Sequence, residues 1–94
     1  MGSEQLLRTT IAALMHHTGE TQEDLGRGLR LSQSQISRKQ SGASTWMIAD
    51  LDRLSAHFDI PVPDLMAGPT HAVRQLPAAR RAAVLGGTQS IIAI

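Results

Sequence analysis

Apolar residues recur at steps of three and four along most of this 94-residue sequence. One run near the amino terminus comprises Leu6, Leu7, Ile11, Leu14 and Met15. A later run comprises Ile48, Leu51, Leu54 and Phe58. Such spacing places apolar side chains on one face of an α-helix, which is then buried against neighbouring helices. The pattern therefore predicts an all-α domain.

Polar caps, glycines and a proline divide the sequence into five predicted helices. A serine or threonine before a helix can accept a hydrogen bond from a free backbone N–H, and the predicted caps are Thr21, Ser32 and Thr45. Glycine commonly ends a helix, as predicted at Gly19 and Gly42. The first helix should span about residues 4–17 and the third residues 33–41. Pro63 should open a short fifth helix that reaches residue 66 or 67.

Size and composition limit the class of protein. We expect one small domain, residues 1–67, followed by a C-terminal extension, residues 68–94. The sequence has no cysteine, which excludes disulfides and thiolate metal sites. It has neither a secretory signal nor an apolar run of the roughly 20 residues needed to span a bilayer. We therefore expect a soluble, cytoplasmic protein that does not bind a membrane.

Charge is segregated along the chain although the net charge is only +1. Residues 1–24 carry a net −3 and residues 50–64 a net −3, whereas residues 65–94 carry +3. Residues 25–49 carry +4 and contain no acid; their cations are Arg27, Arg30, Arg38 and Lys39. A surface built from this basic block would attract a polyanion such as DNA.

The second and third predicted helices are separated by only a few residues, and they differ in apolar content. Leu25 and Leu29 give the second helix a buried edge, whereas Ile36 is the only strong core residue of the third. Gly26 supplies the small residue needed where two such helices cross. A helix with one buried residue leaves its other faces at the protein surface, where they can contact solvent or a ligand. The arrangement predicts a helix-turn-helix whose second helix faces outward to read DNA.

The stretches TQEDLGRGLRLSQSQISRKQSG, residues 21–42, and WMIADLDRLSAHFDIPVPDL, residues 46–65, resemble the Cro and lambda-repressor-type (XRE-like) helix-turn-helix family. The resemblance covers roughly residues 6–65 and implies a five-helix lambda-repressor-like domain that binds double-stranded DNA. Side chains that read bases in the major groove are expected at Gln33, Ser34, Ser37 and Arg38. Contacts to the DNA backbone are expected from Thr21, Gln22, Arg27, Lys39, Ser44, Thr45 and Trp46.

The residue types suit these roles. Glutamine pairs in a bidentate manner with adenine and arginine with guanine, and each good pair discriminates by about 1–3 kcal/mol. Gln33 and Arg38 are therefore the main candidates for direct readout. The alternative is that these polar side chains form an ordinary solvated surface. The adjacent capped helix, Gly26 and the acid-free block together favour DNA.

Three residues depart from the family pattern. Arg30 stands where the family often has glycine in the turn, so either a left-handed residue costs about 1–2 kcal/mol there or the turn is built differently. Lys39 stands at a position that is usually apolar, and its amine should extend outward to solvent. Trp46 stands where proline is common; it either packs over the loop or directs its indole N–H to the DNA backbone.

No motif indicates catalysis or a cofactor. The four histidines, His16, His17, His57 and His71, have no recognised metal-ligand spacing. No Gly-x-Ser-x-Gly elbow or glycine-rich phosphate loop is present. The methionines Met15, Met47 and Met66 are interpreted as core or gap-filling residues. We expect no enzyme activity, no cofactor and no small-molecule ligand.

The C-terminal extension should begin with an irregular link and continue as an alanine-rich helix from near Pro77 to Gly86. Its apolar residues are assigned to dimerisation, by strand pairing or helix swapping, and are Leu85, Ile91, Ile92 and Ile94. Two alternatives remain at this point. The tail could cover its own core, or Arg80 and Arg81 could contact flanking phosphates.

Together these features predict a sequence-specific transcriptional regulator. A single recognition helix reads few base pairs, so such proteins usually bind as two-fold dimers to half-sites about one helical turn apart. We expect a homodimeric repressor of a two-fold operator, of the size of phage immunity repressors. One alternative is an antitoxin that binds DNA and neutralises a toxin through its tail. Another is a protein-interaction module that does not bind DNA.

Overall fold

A computed structural model of the chain describes residues 2–81. Within that range the protein is all-α, as predicted, and contains no strand. Its α-helices are α1 (Ser3–Thr18), α2 (Gln22–Leu29), α3 (Gln33–Ser41), α4 (Ile48–Phe58), α5 (Val62–Leu65) and α6 (Pro69–Gln75). A 3-10 turn, Ala78–Arg80, follows them. No helix in this range combines the length and apolar character needed to cross a membrane.

The hydrophobic core lies where α1, α2 and α4 meet and is closed by the two short helices that follow. The stripes predicted for α1 and α4 supply most of it, together with two leucines of α2. Its fully buried side chains include Ile11, Leu14, Leu25, Leu29, Leu54, Phe58, Ile60 and Leu65. Helix α3 adds only Ile36 to this core. The expectation that α3 contributes a single apolar residue is therefore confirmed.

The first three helices begin and end close to their predicted positions because local signals set them. Helix α1 ends at Gly19, which adopts a left-handed conformation with φ 74°. Helix α3 spans Gln33–Ser41 and ends at Gly42, which is also left-handed with φ 89°. The first helix extends one residue beyond the prediction at each end. Fraying of helix ends makes a difference of that size unimportant.

The predicted start of the fourth helix is wrong. Thr45 does not cap it; α4 begins at Ile48, after Met47. The cause is Asp50, whose carboxylate accepts a hydrogen bond from the Met47 backbone N–H at 2.7 Å. This bond satisfies a free donor at the helix start and fixes the first turn two residues later than predicted.

The amino-terminal end of α4 is more exposed than its apolar pattern indicates. Ile48 was expected in the core stripe, but its side chain is 84% exposed. Met47 was interpreted as a core residue and is 58% exposed. Met47 and Ile48 lie at the amino-terminal end of α4, and the stripe that packs against the core begins with Leu51, which is partly buried.

The extension also differs from the prediction. Residues 69–75, predicted as an irregular link, form α6, with Pro69 at its first position. Helix α6 packs against α1 and α5. Ala72 is fully buried, and Leu76, just beyond the helix, is almost so. The small side chain of Ala72 allows close helix contact, and this part of the extension therefore belongs to the same core as α1.

The alanine-rich helix predicted from Pro77 does not form in the described part of the chain. Only a 3-10 turn, Ala78–Arg80, is present, and Arg81 is extended with ψ 144°. Both arginines direct their side chains to backbone carbonyls of the body: Arg80 Nε donates to His57 at 3.1 Å, and Arg81 to Val73 at 3.0 Å. The four proposed dimerisation residues, Leu85, Ile91, Ile92 and Ile94, lie outside the described residues.

A polar cluster of Glu20, His57 and Arg80 joins the extension to the body. The Glu20 carboxylate is hydrogen-bonded to the His57 ring and lies 3.4 Å from the Arg80 guanidinium. Burial raises the pKa of Glu20, but the hydrogen bond with His57, a second one with Thr18 and the charges of His57 and Arg80 outweigh it. The pKa of Glu20 is therefore held below its ordinary value.

We predict that this cluster makes the free energy of unfolding depend on pH in the acidic range. A carboxyl whose pKa is lower in the folded state stabilises the fold above its unfolded-state pKa, about 4.5, and loses that contribution as pH falls through its folded value. The free energy of unfolding, measured by urea denaturation between about pH 5 and 3, should fall less steeply for Glu20→Gln than for the wild type. Glu23→Gln, at an exposed site on α2, is the matched control and should leave the slope nearly unchanged.

Candidate nucleic-acid interface

Helix α2 is held at its start by reciprocal hydrogen bonds. The Thr21 hydroxyl accepts from the Asp24 backbone N–H at 3.1 Å, and the Asp24 carboxylate accepts from the Thr21 backbone N–H at 3.0 Å. The bonds from the Thr21 backbone and hydroxyl hold the pKa of Asp24 below its usual value. Asp24 is thus ionised at neutral pH, where its charge suits the first turn of a helix.

The turn between α2 and α3 requires a glycine at Gly26 and a left-handed residue at Arg30. The Gly26 carbonyl accepts from the Leu31 backbone N–H at 2.7 Å, and a Cβ on Gly26 would lie 2.5 Å from the Leu31 carbonyl oxygen. Only glycine allows this close approach. Arg30 has φ 61° and ψ 39°. Of the two alternatives for this turn, the left-handed residue is therefore the one observed, and an arginine adopts that conformation.

Arg30→Gly should stabilise the protein. The substitution removes about 1–2 kcal/mol of backbone strain, and the greater freedom of glycine in the unfolded chain offsets about 0.5–1 kcal/mol of that gain. We expect the free energy of unfolding in urea to rise by roughly 0.5–1 kcal/mol. Asp59→Gly, at the other left-handed non-glycine residue, should gain less because aspartate tolerates this conformation better. A loss of stability in Arg30→Gly would contradict the strain assigned to Arg30.

The start of α3 repeats the arrangement seen in α2. The Ser32 hydroxyl accepts from the Gln35 backbone N–H at 3.1 Å, and the Gln35 side chain accepts from the Ser32 backbone N–H at 2.8 Å. The predicted cap at Ser32 is confirmed. Gln35 is thereby used to hold the helix start, which leaves the neighbouring positions on α3 for contacts with a ligand.

The inner face of α3 is anchored by polar contacts as well as by Ile36. Gln40 donates from Nε2 to the Arg8 carbonyl at 3.1 Å and accepts the Trp46 indole N–H at 3.0 Å. Trp46 is only 6% exposed. The assignment of Trp46 to the DNA backbone is therefore wrong, and the alternative of packing is confirmed. The sequence did not predict that Gln40 anchors α3. One of its partners, Arg8, is 32 residues away, and the other, Trp46, follows the loop after α3.

Lys39 also faces inward, contrary to the prediction. Its ammonium lies 3.0 Å from the Asp50 carboxylate and 3.0 Å from the Thr45 carbonyl, and its side chain is only 13% exposed. Asp50 is the reason, because a carboxylate that is 7% exposed requires a cation beside it. Lys39 is thus a buried ion-pair partner, and its assignment to the DNA backbone is wrong for this conformation.

The outer face of α3 carries the four predicted base-reading residues. Successive residues on an α-helix are about 100° apart, so these positions fall within one continuous sector that excludes Ile36. All of them are exposed, and none takes part in a hydrogen bond or ion pair of its side chain within residues 2–81; they are Gln33, Ser34, Ser37 and Arg38. The structure brings these four side chains together on one surface, named here the α3 outer face.

Most of the remaining predicted backbone contacts lie around the same helix pair. Thr21 is exposed beside the start of α2, and Gln22, the first residue of α2, is partly exposed. In the loop after α3, Thr45 is exposed and Ser44 is partly exposed. Thr45 lies before α4 and does not open a helix, so no helix amino-terminus adds to its contact with phosphate. These residues have hydroxyl or amide groups that can bind phosphate.

The basic block is less cationic than its sequence indicates. The Arg27 guanidinium lies 3.4 Å from Glu23 and 3.4 Å from Asp24, and Lys39 is neutralised by Asp50. Within residues 2–81, the cations of the block that have no carboxylate partner are Arg30 and Arg38. The Arg27 pairs are exposed and weak, so phosphate could replace the carboxylates there. Arg38 is thus the main fixed positive charge of the α3 outer face.

Residues 2–81 contain no group of three or more histidine or acidic side chains placed to hold a metal ion. The sharp turn after α2 holds α3 at the surface, and the exposed polar side chains of α3 are suited to a polyanionic, hydrogen-bonding ligand.

No curated protein and no solved structure matches the chain significantly. The family model described as BetR domain matches residues 3–91, from the start of α1 to beyond the described residues. The chain therefore belongs to the BetR domain family, a family of helical, DNA-binding-like domains.

Proposed function

We propose that this protein is a sequence-specific DNA-binding transcriptional regulator that inserts α3 into the major groove. Gln33 and Arg38 contact base edges, and Ser34 and Ser37 add less selective contacts. Thr21, Gln22, Ser44 and Thr45 contact phosphates on either side. The protein acts in the cytoplasm by binding alone, without catalysis, a cofactor or a small-molecule ligand.

The observation that carries the proposal is the division of α3 into two faces. Ile36, Lys39 and Gln40 fix the inner face, and the outer face offers four exposed polar side chains. A helix held rigidly on one side can present amide and guanidinium groups with little loss of conformational freedom on binding. An ordinary solvated helix requires no such buried polar anchors.

The regulator binds as a homodimer and represses by occupying a two-fold operator. One α3 can contact only a few base pairs, and two copies on half-sites about one helical turn apart would double the recognised sequence. Since two copies must meet on one operator, occupancy of the operator depends on protein concentration and on dimerisation. Repression fits this arrangement, since bound protein blocks access of polymerase to the same DNA.

Selection of bound oligonucleotides from a random pool tests the proposal. We expect enrichment of an inverted repeat whose half-sites lie about 10 base pairs apart. The logarithm of the affinity for the selected site should fall linearly with the logarithm of salt concentration, with a slope of about −0.9 for each phosphate that a cationic side chain neutralises. Because Lys39 is neutralised by Asp50, this slope should be shallower than four free cations in residues 25–49 would produce. Failure to enrich any sequence would contradict the proposal.

A protein-interaction module remains a second candidate, favoured by one observation. Met47 and Ile48 form an exposed apolar patch, which on a soluble domain often marks a protein contact. For that function the α3 outer face would be an ordinary surface. A flat response of DNA binding to salt, together with no enriched sequence, would favour the interaction module over the regulator.

A further inference from the structure

An apolar groove lies at the amino-terminal end of α4, and none of the four base-reading side chains lines it. Its lining residues come from α1, the loop before α4, α4 and the end of α5, and include Leu7, Trp46, Met47, Ile48, Leu51 and Met66. We name it the α4 groove. Its floor is continuous with the hydrophobic core, because Leu7 and Trp46 are core residues.

The α4 groove holds the two large hydrophobic side chains that are exposed in residues 2–81. These are Met47, 58% exposed, and Ile48, 84% exposed, and they are adjacent in the chain. Burying apolar surface is favourable, so a groove with a core-like floor and an apolar rim gains stability when another apolar segment covers it. The groove therefore has the character of a docking site for a short apolar peptide.

We propose that the apolar segment Ile91–Ile94 of a second copy of this chain occupies the α4 groove, and that the exchange is reciprocal. The segment contains three isoleucines in four residues, the strongest apolar run outside the described part of the chain. None of its side chains carries a charge that would have to be desolvated. The proposal rests on the dimer of the proposed function and identifies the surfaces that form it.

The length of the chain permits this contact. Arg80 is fixed to Glu20 and His57, beyond the carboxyl-terminal end of α1, whereas the groove lies at the opposite end. Leu7 and Glu20 are 13 positions apart in the sequence, which corresponds to roughly 20 Å along a helix. Residues 82–90, nine residues, span at most about 30 Å when extended. Residues 82–90 are therefore long enough to span the length of α1, so the segment that follows them is not confined to the Glu20 end of the domain.

The two-fold symmetry of the proposed dimer favours a second copy, and not the same copy, as the source of the tail in the α4 groove. Two copies that each insert a tail into the other would cover two grooves and two tails, and they form a closed two-fold assembly. That symmetry matches the two half-sites of the proposed operator. A tail in the groove of its own copy would cover the same apolar surface but would leave the protein monomeric.

Two single variants and their mixture test the proposal on the full chain without DNA. We expect Ile48→Asp and Ile92→Asp each to raise the dimer Kd, measured by sedimentation equilibrium, by roughly tenfold or more, because each buries a charge in an apolar contact. A mixture of the two should dimerise better than either variant alone. In the mixed dimer one intact tail meets one intact groove, whereas neither homodimer has such a pair.

The controls separate this result from misfolding and from failure of the proposed function. Ala49→Asp and Ser90→Asp place the same charge beside the altered positions and should leave the dimer Kd within about threefold of the wild type. Ile48 is exposed, so its variant should keep the wild-type Tm of the monomer; Ile48→Ser replaces it if it does not. Because no DNA is used, a failed oligonucleotide selection would leave the dimer result intact.

Three outcomes would overturn the proposal. One is a wild-type protein that stays monomeric at concentrations near 100 μM, well above the Kd expected of a functional dimer. Another is a dimer unaffected by Ile48→Asp, which would place the interface elsewhere. The third is a mixture that dimerises no better than its components, which would indicate a tail that docks in its own copy or an interface of a different kind.

Discussion

Arg38→Ala should remove the preference of this protein for its selected DNA site while leaving its fold intact. Arg38 is exposed on α3 and has no side-chain partner in residues 2–81, so its removal leaves no buried group unsatisfied. A bidentate arginine–guanine pair discriminates by about 1–3 kcal/mol, which corresponds to a factor of roughly 5–150 in affinity. In a two-fold dimer the loss occurs twice. We expect Kd for the selected site to approach the Kd for unrelated DNA.

The measurement is a titration of the selected oligonucleotide and of one with the contacted base pair changed. The wild type should distinguish the two, and Arg38→Ala should bind them almost equally. Arg53→Ala is the matched control, because Arg53 is also an exposed arginine but lies on α4. If Arg53→Ala reduced the preference as much as Arg38→Ala did, general charge, and not base readout from α3, would explain the binding.

Asp50→Ala should destabilise the protein by about 3–5 kcal/mol, the loss usual when one partner of a buried ion pair is removed. The substitution leaves the Lys39 ammonium, 13% exposed, without its carboxylate. It also removes the acceptor of the Met47 backbone N–H, which fixes the start of α4. In a domain of this size, such a loss lowers Tm by more than about 10 °C, which thermal unfolding would detect.

Replacing both partners separates the ion pair from the packing around it. Lys39→Met/Asp50→Leu fills similar volumes without charge and should be more stable than Asp50→Ala by about 2 kcal/mol, although the hydrogen bond to Met47 stays lost. Lys39→Met alone should cost less than Asp50→Ala, because Asp50 still holds Met47. If the double variant were no more stable than Asp50→Ala, the loss would come from the helix start and not from an unpaired lysine.

The helix boundaries that the sequence predicted well depend on contacts within a few residues. Thr21 and Ser32 each bond a backbone N–H three residues later, and Gly19 and Gly42 adopt the left-handed conformation that ends a helix. Such signals are complete within one turn of the chain. For this reason the limits of α3, and with them the four residues of its outer face, could be predicted before any tertiary contact was known.

The boundaries and side-chain directions that the sequence predicted poorly depend on distant partners. Asp50 both sets the start of α4 and draws Lys39 inward, and it lies eleven residues from Lys39. Gln40 binds the carbonyl of Arg8, 32 residues away. Helix α6 has few apolar residues of its own, and its burial depends on α1. In these cases the local pattern was outweighed by tertiary contacts, as happens where intrinsic preference is weak.

The difference in Lys39 also changes the electrostatic account. From the sequence, four cations form a basic block that would attract phosphates. In the structure, Lys39 is neutralised by Asp50, and Arg27 lies against Glu23 and Asp24. Recognition should therefore depend less on general charge and more on the hydrogen-bonding groups of α3, with a correspondingly shallow dependence on salt.

The central claim, that α3 enters the major groove, is tested most directly by NMR titration of the isotopically labelled protein with its selected oligonucleotide. The largest changes in chemical shift should fall on residues 33–38 and on the first turn of α2, with side-chain shifts of Gln33 and Arg38 among them. Residues 69–75 of α6, which pack against α1 away from α3, should change little. Changes concentrated on α6 or on the α4 groove, with α3 unaffected, would contradict the account.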